Sequence, residues 1–142
     1  MNWQLINENP KTFAVVFETG DEVMAGLKKF AREQSLSASQ FTAIGAFRDV
    51  LLGFFNVEKK SYTKIPINDQ VEVLSLLGDV ALEDVEPKIH AHVVLGKSDG
   101  SAHGGHLLQA HVRPTLEVIL TESPRHLHRT MDAETGLALI RV

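Results

Sequence analysis

The chain has 142 residues, of which 44% are hydrophobic and 23% charged, the balance of one globular domain with a single core. Its formal net charge of −4 argues against the class of nucleic-acid binders that present a basic face, because acidic residues surround the few clustered lysines and arginines. The absence of cysteine excludes disulfides and thiolate metal sites.

The amino-terminal stretch "MNWQLINENPKTFAVVF" has no basic region followed by an apolar one, so it does not have the pattern of a signal peptide. No apolar run reaches the roughly eighteen residues that a membrane span requires. We therefore expect a cytoplasmic protein with no membrane partner, and we treat residues 1–142 as one domain.

The first two predicted elements are a strand and a helix. The β-branched and aromatic run "TFAVVFE" predicts a strand over 12–18. Thr19, followed three residues later by Glu22, fits a capping box at the start of a helix. Apolar residues then recur with helical spacing, which predicts one helix over about 21–35. The members of this apolar stripe are Val23, Leu27, Phe30 and Ala31.

The rest of the chain reads as short apolar or alternating runs with few helical patterns between them. The predicted strands cover 41–47, 50–57, 61–67, 71–82, 88–96, 105–112, 115–122 and 135–142. Gly45 in "IGAF" is interpreted as part of a tight turn. Strands that follow one another without helices predict hairpins, so we expect an α+β fold: a mainly antiparallel β-sheet with one principal flanking α-helix.

Several of these strands are apolar on both faces. In the 88–96 run, alternation places one set of apolar residues on a common face and Val94 on the other. The common face holds Ile89, Ala91, Val93 and Leu95. A single helix cannot cover both faces of such a sheet, so a subunit interface is predicted and the protein is expected to form a homo-oligomer.

The stretch "HAHVVLGKSDGSAHGGHL" over 90–107 is the main candidate for a functional site. His90 and His92 are two residues apart and therefore share a face of their strand. A turn centred on Asp99 would place His106 opposite His92 and on that same face. Three imidazoles with an open fourth position are typical of a reactive zinc site, so these three residues are the predicted metal ligands.

This prediction depends on the register of the hairpin. A slip by one residue would turn His106 to the other face and make His103 and His111 the candidates instead. In the favoured register His111 points away, and His103 near the turn is a second-rank candidate. Gly104 and Gly105 are expected to leave room for a water or a ligand. The alternative interpretation is a hairpin whose histidines only make hydrogen bonds.

Other polar groups give weaker signals. His126 and His128 form a second His-x-His pair, but the adjacent arginines favour surface histidines. Glu117 is a buried acid, a hydrogen-bonding partner of a ligand histidine, or an exposed side chain, and the sequence does not choose among these. The acids of "GDVALEDVEP" are interpreted as a solvated loop rather than a site for a hard cation. These acids are Asp79, Glu83, Asp84 and Glu86.

The ordered motifs resemble those of the plants-and-prokaryotes-conserved (PPC) domain family over about residues 12–141. They are "IGAFRDVLLGFF", "VEVLSLLGDVALED", "PKIHAHVVLGKSDGSAHGGHL", "TLEVIL" and "HRTMDAETGLALI". The resemblance implies a central antiparallel sheet with a flanking helix, assembled as a homotrimer. It also implies that His90, His92 and His106 bind a metal ion, usually zinc.

The plant members of this family carry AT-hook segments and a Gly-Arg-Phe-Glu-Ile-Leu motif, and this chain has neither: it reads "IGAF" at the corresponding place. Three functional hypotheses follow. The first is a trimeric zinc-binding protein with a three-histidine site open to solvent or to a small-molecule ligand. The second is a small-molecule metallo-hydrolase or lyase. The third is a DNA-associated regulatory protein, for which direct DNA binding is the least expected property.

Overall fold

The computed structural model describes residues 1–142 as one nine-stranded sheet with a single helix. No helix of the chain is both long and apolar enough to cross a lipid bilayer. In chain order the elements are β1 (Asn2–Glu8), β2 (Lys11–Glu18), α1 (Val23–Glu33), β3 (Ala38–Asn56), β4 (Ser61–Ile67), β5 (Val71–Glu83), β6 (Glu86–Gly96), β7 (Ala102–Glu122), β8 (His128–Met131) and β9 (Ala138–Arg141).

The sheet is antiparallel except for one short parallel contact between β5 and β8, which confirms the predicted α+β class. Strand β3 pairs with β5, β5 with β6, β6 with β7, and β7 again with β3. These four strands therefore form a closed circuit of hydrogen-bonded pairs. They also supply most of the residues of the buried hydrophobic core.

The two longest strands, β3 and β7, each cover two of the strands predicted from the sequence. Irregularities in their pairing, rather than loops, allow each strand to bend and continue. The expected tight turn at Gly45 is such an irregularity within β3. Gly45 has φ of +150°, and a Cβ there would lie 2.3 Å from the backbone oxygen of Thr115. Close approach of β7 thus requires glycine at this position.

The helix α1 is two residues shorter at each end than predicted, and the expected capping box at Thr19 is wrong. Glu22 is the N-cap: its carboxylate accepts hydrogen bonds from the backbone nitrogens of Met24 (3.1 Å) and Ala25 (2.7 Å). It also accepts one from the nitrogen of Ala110 at 3.2 Å, which ties the start of the helix to β7. The hydroxyl of Thr19 instead donates to the backbone oxygen of Pro114. The predicted apolar stripe is buried: Val23, Leu27, Phe30 and Ala31.

Strands β1 and β8 were not predicted. Every residue of β1 is exposed, and the apolar alternation in its sequence is limited to Trp3 and Leu5, because Ile6 interrupts it. Strand β8 lies in the polar stretch after β7, and β9 falls within the predicted 135–142 strand. Together β8 and β9 form an antiparallel hairpin that contacts the rest of the sheet through β5.

Apolar side chains also lie on the solvent side of the central strands. Ile44, Leu77 and Ile119, on β3, β5 and β7, are each about half exposed or more. Val94 on β6 is exposed as well, whereas its neighbours Val93 and Leu95 are buried, as the alternation predicted. The sheet is therefore apolar on both faces, and the chain on its own covers only one of them.

Candidate metal centre

The β6–β7 hairpin has the predicted register. Its turn is closed by hydrogen bonds from the nitrogen of Gly100 to the oxygen of Lys97 (3.0 Å) and from the nitrogen of Lys97 to the oxygen of Ser101 (2.9 Å). The carboxylate of Asp99 accepts from both the backbone nitrogen and the hydroxyl of Ser101. This turn sets His92 directly opposite His106, where the β6–β7 ladder ends.

The three predicted ligand residues lie together. One ring nitrogen from each of His90, His92 and His106 lies within 4.8 Å of the other two. The Nε2 atoms of His90 and His92 are 3.2 Å apart. Two nitrogens bound at 2.0–2.1 Å to a tetrahedral zinc ion would be about 3.3 Å apart, so this spacing fits the ion.

The environment favours the neutral form of two of these imidazoles, those of His106 and His92, and the neutral form is the one that binds metals. Burial, together with the nearby His90 and His92, lowers the pKa of His106 to about 4. Burial and the neighbouring His90 also lower the pKa of His92. The Nδ1 atom of His106 is buried and has no hydrogen-bond partner within the protein, an arrangement that costs about 1–3 kcal/mol.

Asp79 is a residue of the site that the sequence interpretation missed. It was assigned to a solvated loop, but it lies in β5 directly opposite His90. Its Oδ2 atom is 3.6 Å from Nδ1 of His90, and its Oδ1 atom accepts a hydrogen bond from the guanidinium of Arg129. Burial alone would raise the pKa of Asp79, but the nearby His90 ring and the hydrogen-bonded guanidinium of Arg129 outweigh it and lower the pKa.

Tyr62 is a second residue that was missed. Its ring stacks on His106 with the centroids 4.8 Å apart and the planes inclined by 29°. Phe55 also contacts the Tyr62 ring edge-on, with the ring centroids 5.0 Å apart. Strand β4 brings Tyr62 to the site through its pairing with β3, so no local pattern around the histidines could have indicated it.

The remaining histidines lie apart from this cluster. His103 is exposed and faces Leu95 across the hairpin. His111 has its Nδ1 atom 2.6 Å from Oδ1 of Asp49, away from the three rings as expected. His126 and His128 are exposed, as predicted, and Nδ1 of His126 lies 2.5 Å from the hydroxyl of Ser37.

Two further expectations concern neighbouring residues. Gly104 and Gly105 line, together with His92, an open cleft of roughly 190 Å³, in agreement with the space expected there. They also allow close packing of strand backbones, because a Cβ at these positions would lie 3.1 Å from the oxygen of Val93 and 3.2 Å from that of Gly53. Glu117 is exposed in β7 between β2 and β3, so of its three interpretations the exposed one holds.

The chain matches the model of a known domain family. The model of the Plants and Prokaryotes Conserved domain family (PCC, also written PPC) matches residues 6–124, which include the three histidines and Asp79. No curated protein matches the chain in sequence.

Several solved structures are similar over nearly the whole chain. A metal-containing protein from Archaeoglobus fulgidus is 33% identical, with a TM-score of 0.86 over 99% of this chain and 97% of its own. A plant- and prokaryote-conserved protein from Pyrococcus horikoshii is 32% identical, with a TM-score of 0.87 over 99% and 95%. A protein from Bacteroides thetaiotaomicron, described as a candidate DNA-binding protein, is 25% identical, with a TM-score of 0.91 over 98% and 96%.

Proposed function

Because the chain belongs to the Plants and Prokaryotes Conserved domain family, we propose that it is a metal-binding member, with zinc held by His90, His92 and His106. The fourth position of the ion is open to water or to a small-molecule ligand. The protein acts as a homotrimer in the cytoplasm. The observation that carries this proposal is the convergence of three imidazoles from one hairpin, with two Nε2 atoms 3.2 Å apart.

The residues around the ligands support the same function. Asp79 faces the Nδ1 side of His90, and a carboxylate in that position orients a ligand histidine and makes it more basic. Tyr62 holds the ring plane of His106 by stacking. A bound zinc ion would supply Lewis acidity and would lower the pKa of a bound water. The description of the Archaeoglobus fulgidus relative as metal-containing agrees with this assignment.

We propose the trimer because apolar side chains lie on the solvent-facing side of the sheet. Ile44, Leu77 and Ile119 belong to three adjacent strands, so their side chains form one patch rather than scattered exposed residues. Contiguous apolar patches of this kind mark contact surfaces in soluble proteins. Association of three copies through this patch would bury it.

Metal analysis of protein purified without an affinity tag tests the proposed site. We expect about one zinc ion per chain in the wild type. His92→Ala removes one ligand and should lose the ion while keeping the fold, as judged by circular dichroism. His103→Ala removes an exposed histidine of the same hairpin and should keep it. A wild-type protein that is folded, free of metal and unable to take up added zinc would overturn the proposal.

DNA binding is a second candidate because the Bacteroides thetaiotaomicron relative is described in those terms. The net charge of −4 opposes it, since affinity for DNA comes largely from cationic side chains on phosphates. A mobility-shift titration over a range of salt concentrations separates the two functions. Binding that persists at moderate salt would favour a DNA-associated role. We expect no DNA binding at moderate salt.

A further inference from the structure

A cleft of roughly 250 Å³ opens beside the histidine cluster, between the β8–β9 hairpin and strands β4 and β6. His90 and His106 form part of its lining, together with Tyr62. Five apolar side chains form an apolar wall, and all except Ile89 belong to the β8–β9 hairpin: Ile89, Met131, Leu137, Ala138 and Leu139. The cleft therefore joins a set of metal-binding nitrogens to a hydrocarbon surface.

Two basic residues also line the cleft. Arg129 is more than nine-tenths buried, and its Nε atom has no hydrogen-bond partner in the protein. Its other guanidinium nitrogens donate to the oxygen of Ala138 and to the carboxylate of Asp79. Lys88 has its Nζ atom 2.8 Å from the carboxylate of Glu83, and both of these side chains are partly exposed at the cleft.

The charges around the cleft determine what it can bind. Arg129 and Asp79 neutralise each other, and so do Lys88 and Glu83. The three ligand imidazoles are neutral when they bind a metal. A divalent ion on these histidines would therefore keep a local charge of about +2. An anionic ligand balances that charge, whereas a neutral or cationic ligand does not.

We propose that this cleft binds a small aliphatic carboxylate, an inference that rests on the proposed metal site. The carboxylate group lies on the side of the histidines and the two basic residues, and the hydrocarbon part lies against the apolar wall. Carboxylate is the smallest common anionic group that is carried on a short apolar chain. Tyr62 and Arg129 line the cleft, and the β8–β9 hairpin supplies most of its apolar lining.

Protein loaded with Co²⁺ in place of zinc provides the test, because its visible absorption responds to a change of ligand at the metal. The probes are 3-methylbutanoate and the neutral 3-methylbutanamide, which has the same shape. We expect saturable spectral changes with the carboxylate and affinity weaker by about tenfold or more with the amide. Lys88→Glu should weaken carboxylate binding about tenfold. Lys29→Glu, which reverses an exposed lysine that also pairs with a glutamate on the helix, should leave it unchanged.

The outcomes separate this inference from the proposed function. If Co²⁺ does not bind, the metal site itself is wrong. If Co²⁺ binds and neither probe changes the spectrum, the metal site stands and the carboxylate cleft is wrong. Equal affinity for the acid and the amide, or no effect of Lys88→Glu, also overturns the cleft assignment, because charge would then play no part in binding.

Discussion

The carboxylate of Asp79 lies across the β5–β6 pair from His90, with Oδ2 3.6 Å from the Nδ1 atom of the ring. Arg129 holds the other carboxylate oxygen, so the acid is fixed from both sides. The Nε2 atom of the same His90 ring faces His92. Asp79 thus acts on the cluster through His90 and is a positioning residue rather than a ligand.

Replacing Asp79 by asparagine should weaken metal binding. The amide keeps the size of the side chain but removes the negative charge that faces Nδ1 of His90, and changes of this kind cost about 10–100-fold in affinity. Competition against a chromophoric chelator measures the effect. Glu117→Gln makes the same change of charge at an exposed position far from the cluster and should leave the affinity unchanged. Equal affinities for Asp79→Asn and the wild type would exclude the positioning role.

The stability of the metal-free protein should fall as the pH is lowered below about 6.5. The folded chain lowers the pKa of His106 from 6.5 to about 4, and the pKa of His92 is lowered as well. Between these pH values the unfolded chain binds more protons than the folded one, so stability rises with pH. The stability that the folded state gains from keeping these histidines neutral is fully present above pH 6.5 and is lost as the pH falls towards 4.

Urea unfolding in the presence of a chelator measures this dependence on pH. His106→Gln removes the titrating group and should give a shallower loss of stability across the same range. His103→Gln removes an exposed histidine and should follow the wild type. A wild-type curve that is flat between the two pKa values would contradict the prediction.

A charge placed in the exposed apolar patch should break the trimer. Ile119→Arg introduces a cation among exposed apolar side chains that the proposed trimer would bury, and unpaired charge at an interface is strongly unfavourable. Analytical ultracentrifugation should show a monomer. Val85→Arg, at an exposed position in the β5–β6 turn, is the matched control and should remain a trimer. A wild-type monomer, or a trimeric Ile119→Arg, would show that this patch does not mediate assembly.

Replacing Gly45 by alanine should destabilise the fold, because the new Cβ meets the backbone oxygen of Thr115 at 2.3 Å. We expect a loss of about 1–3 kcal/mol or more in the free energy of unfolding. Gly20→Ala provides the comparison: Gly20 also has positive φ, of +95°, but a Cβ there would meet nothing within 4 Å. Similar losses for both variants in chemical denaturation would mean that backbone conformation, and not the steric contact, sets the cost.

Local patterns were enough to predict the helix, the positions of most strands along the chain and the clustering of the three histidines. The spacing of His90 and His92 and the turn at Asp99 define one face of one hairpin, which is a property of neighbouring residues. Asp79 could have been found by the same reasoning, because the β5–β6 turn lies at residues 84–85 and its register pairs Asp79 with His90. Tyr62 and Arg129 reach the site through pairing between distant strands, which no spacing in the sequence encodes.

The helix cap and strand β1 show a different limit. Glu22 caps the helix while also accepting a hydrogen bond from β7, so a tertiary contact selected it over Thr19. Strand β1 is exposed along its whole length, pairs with β2, and contacts the core through the Trp3 ring, which packs edge-on against Phe13 and Phe30. Its apolar alternation is confined to Trp3 and Leu5, too short a pattern to predict a strand.

The family match ends at residue 124, and the β8–β9 hairpin begins at His128. The histidines and Asp79 therefore lie inside the region that the family model matches, whereas Arg129 and the apolar wall of the cleft, except Ile89, lie outside it. Relatives with the same three histidines can differ in this final hairpin without altering the metal ligands. Exchanging the β8–β9 hairpin between two relatives should then exchange their specificity for the organic ligand and leave their specificity for the metal ion unchanged.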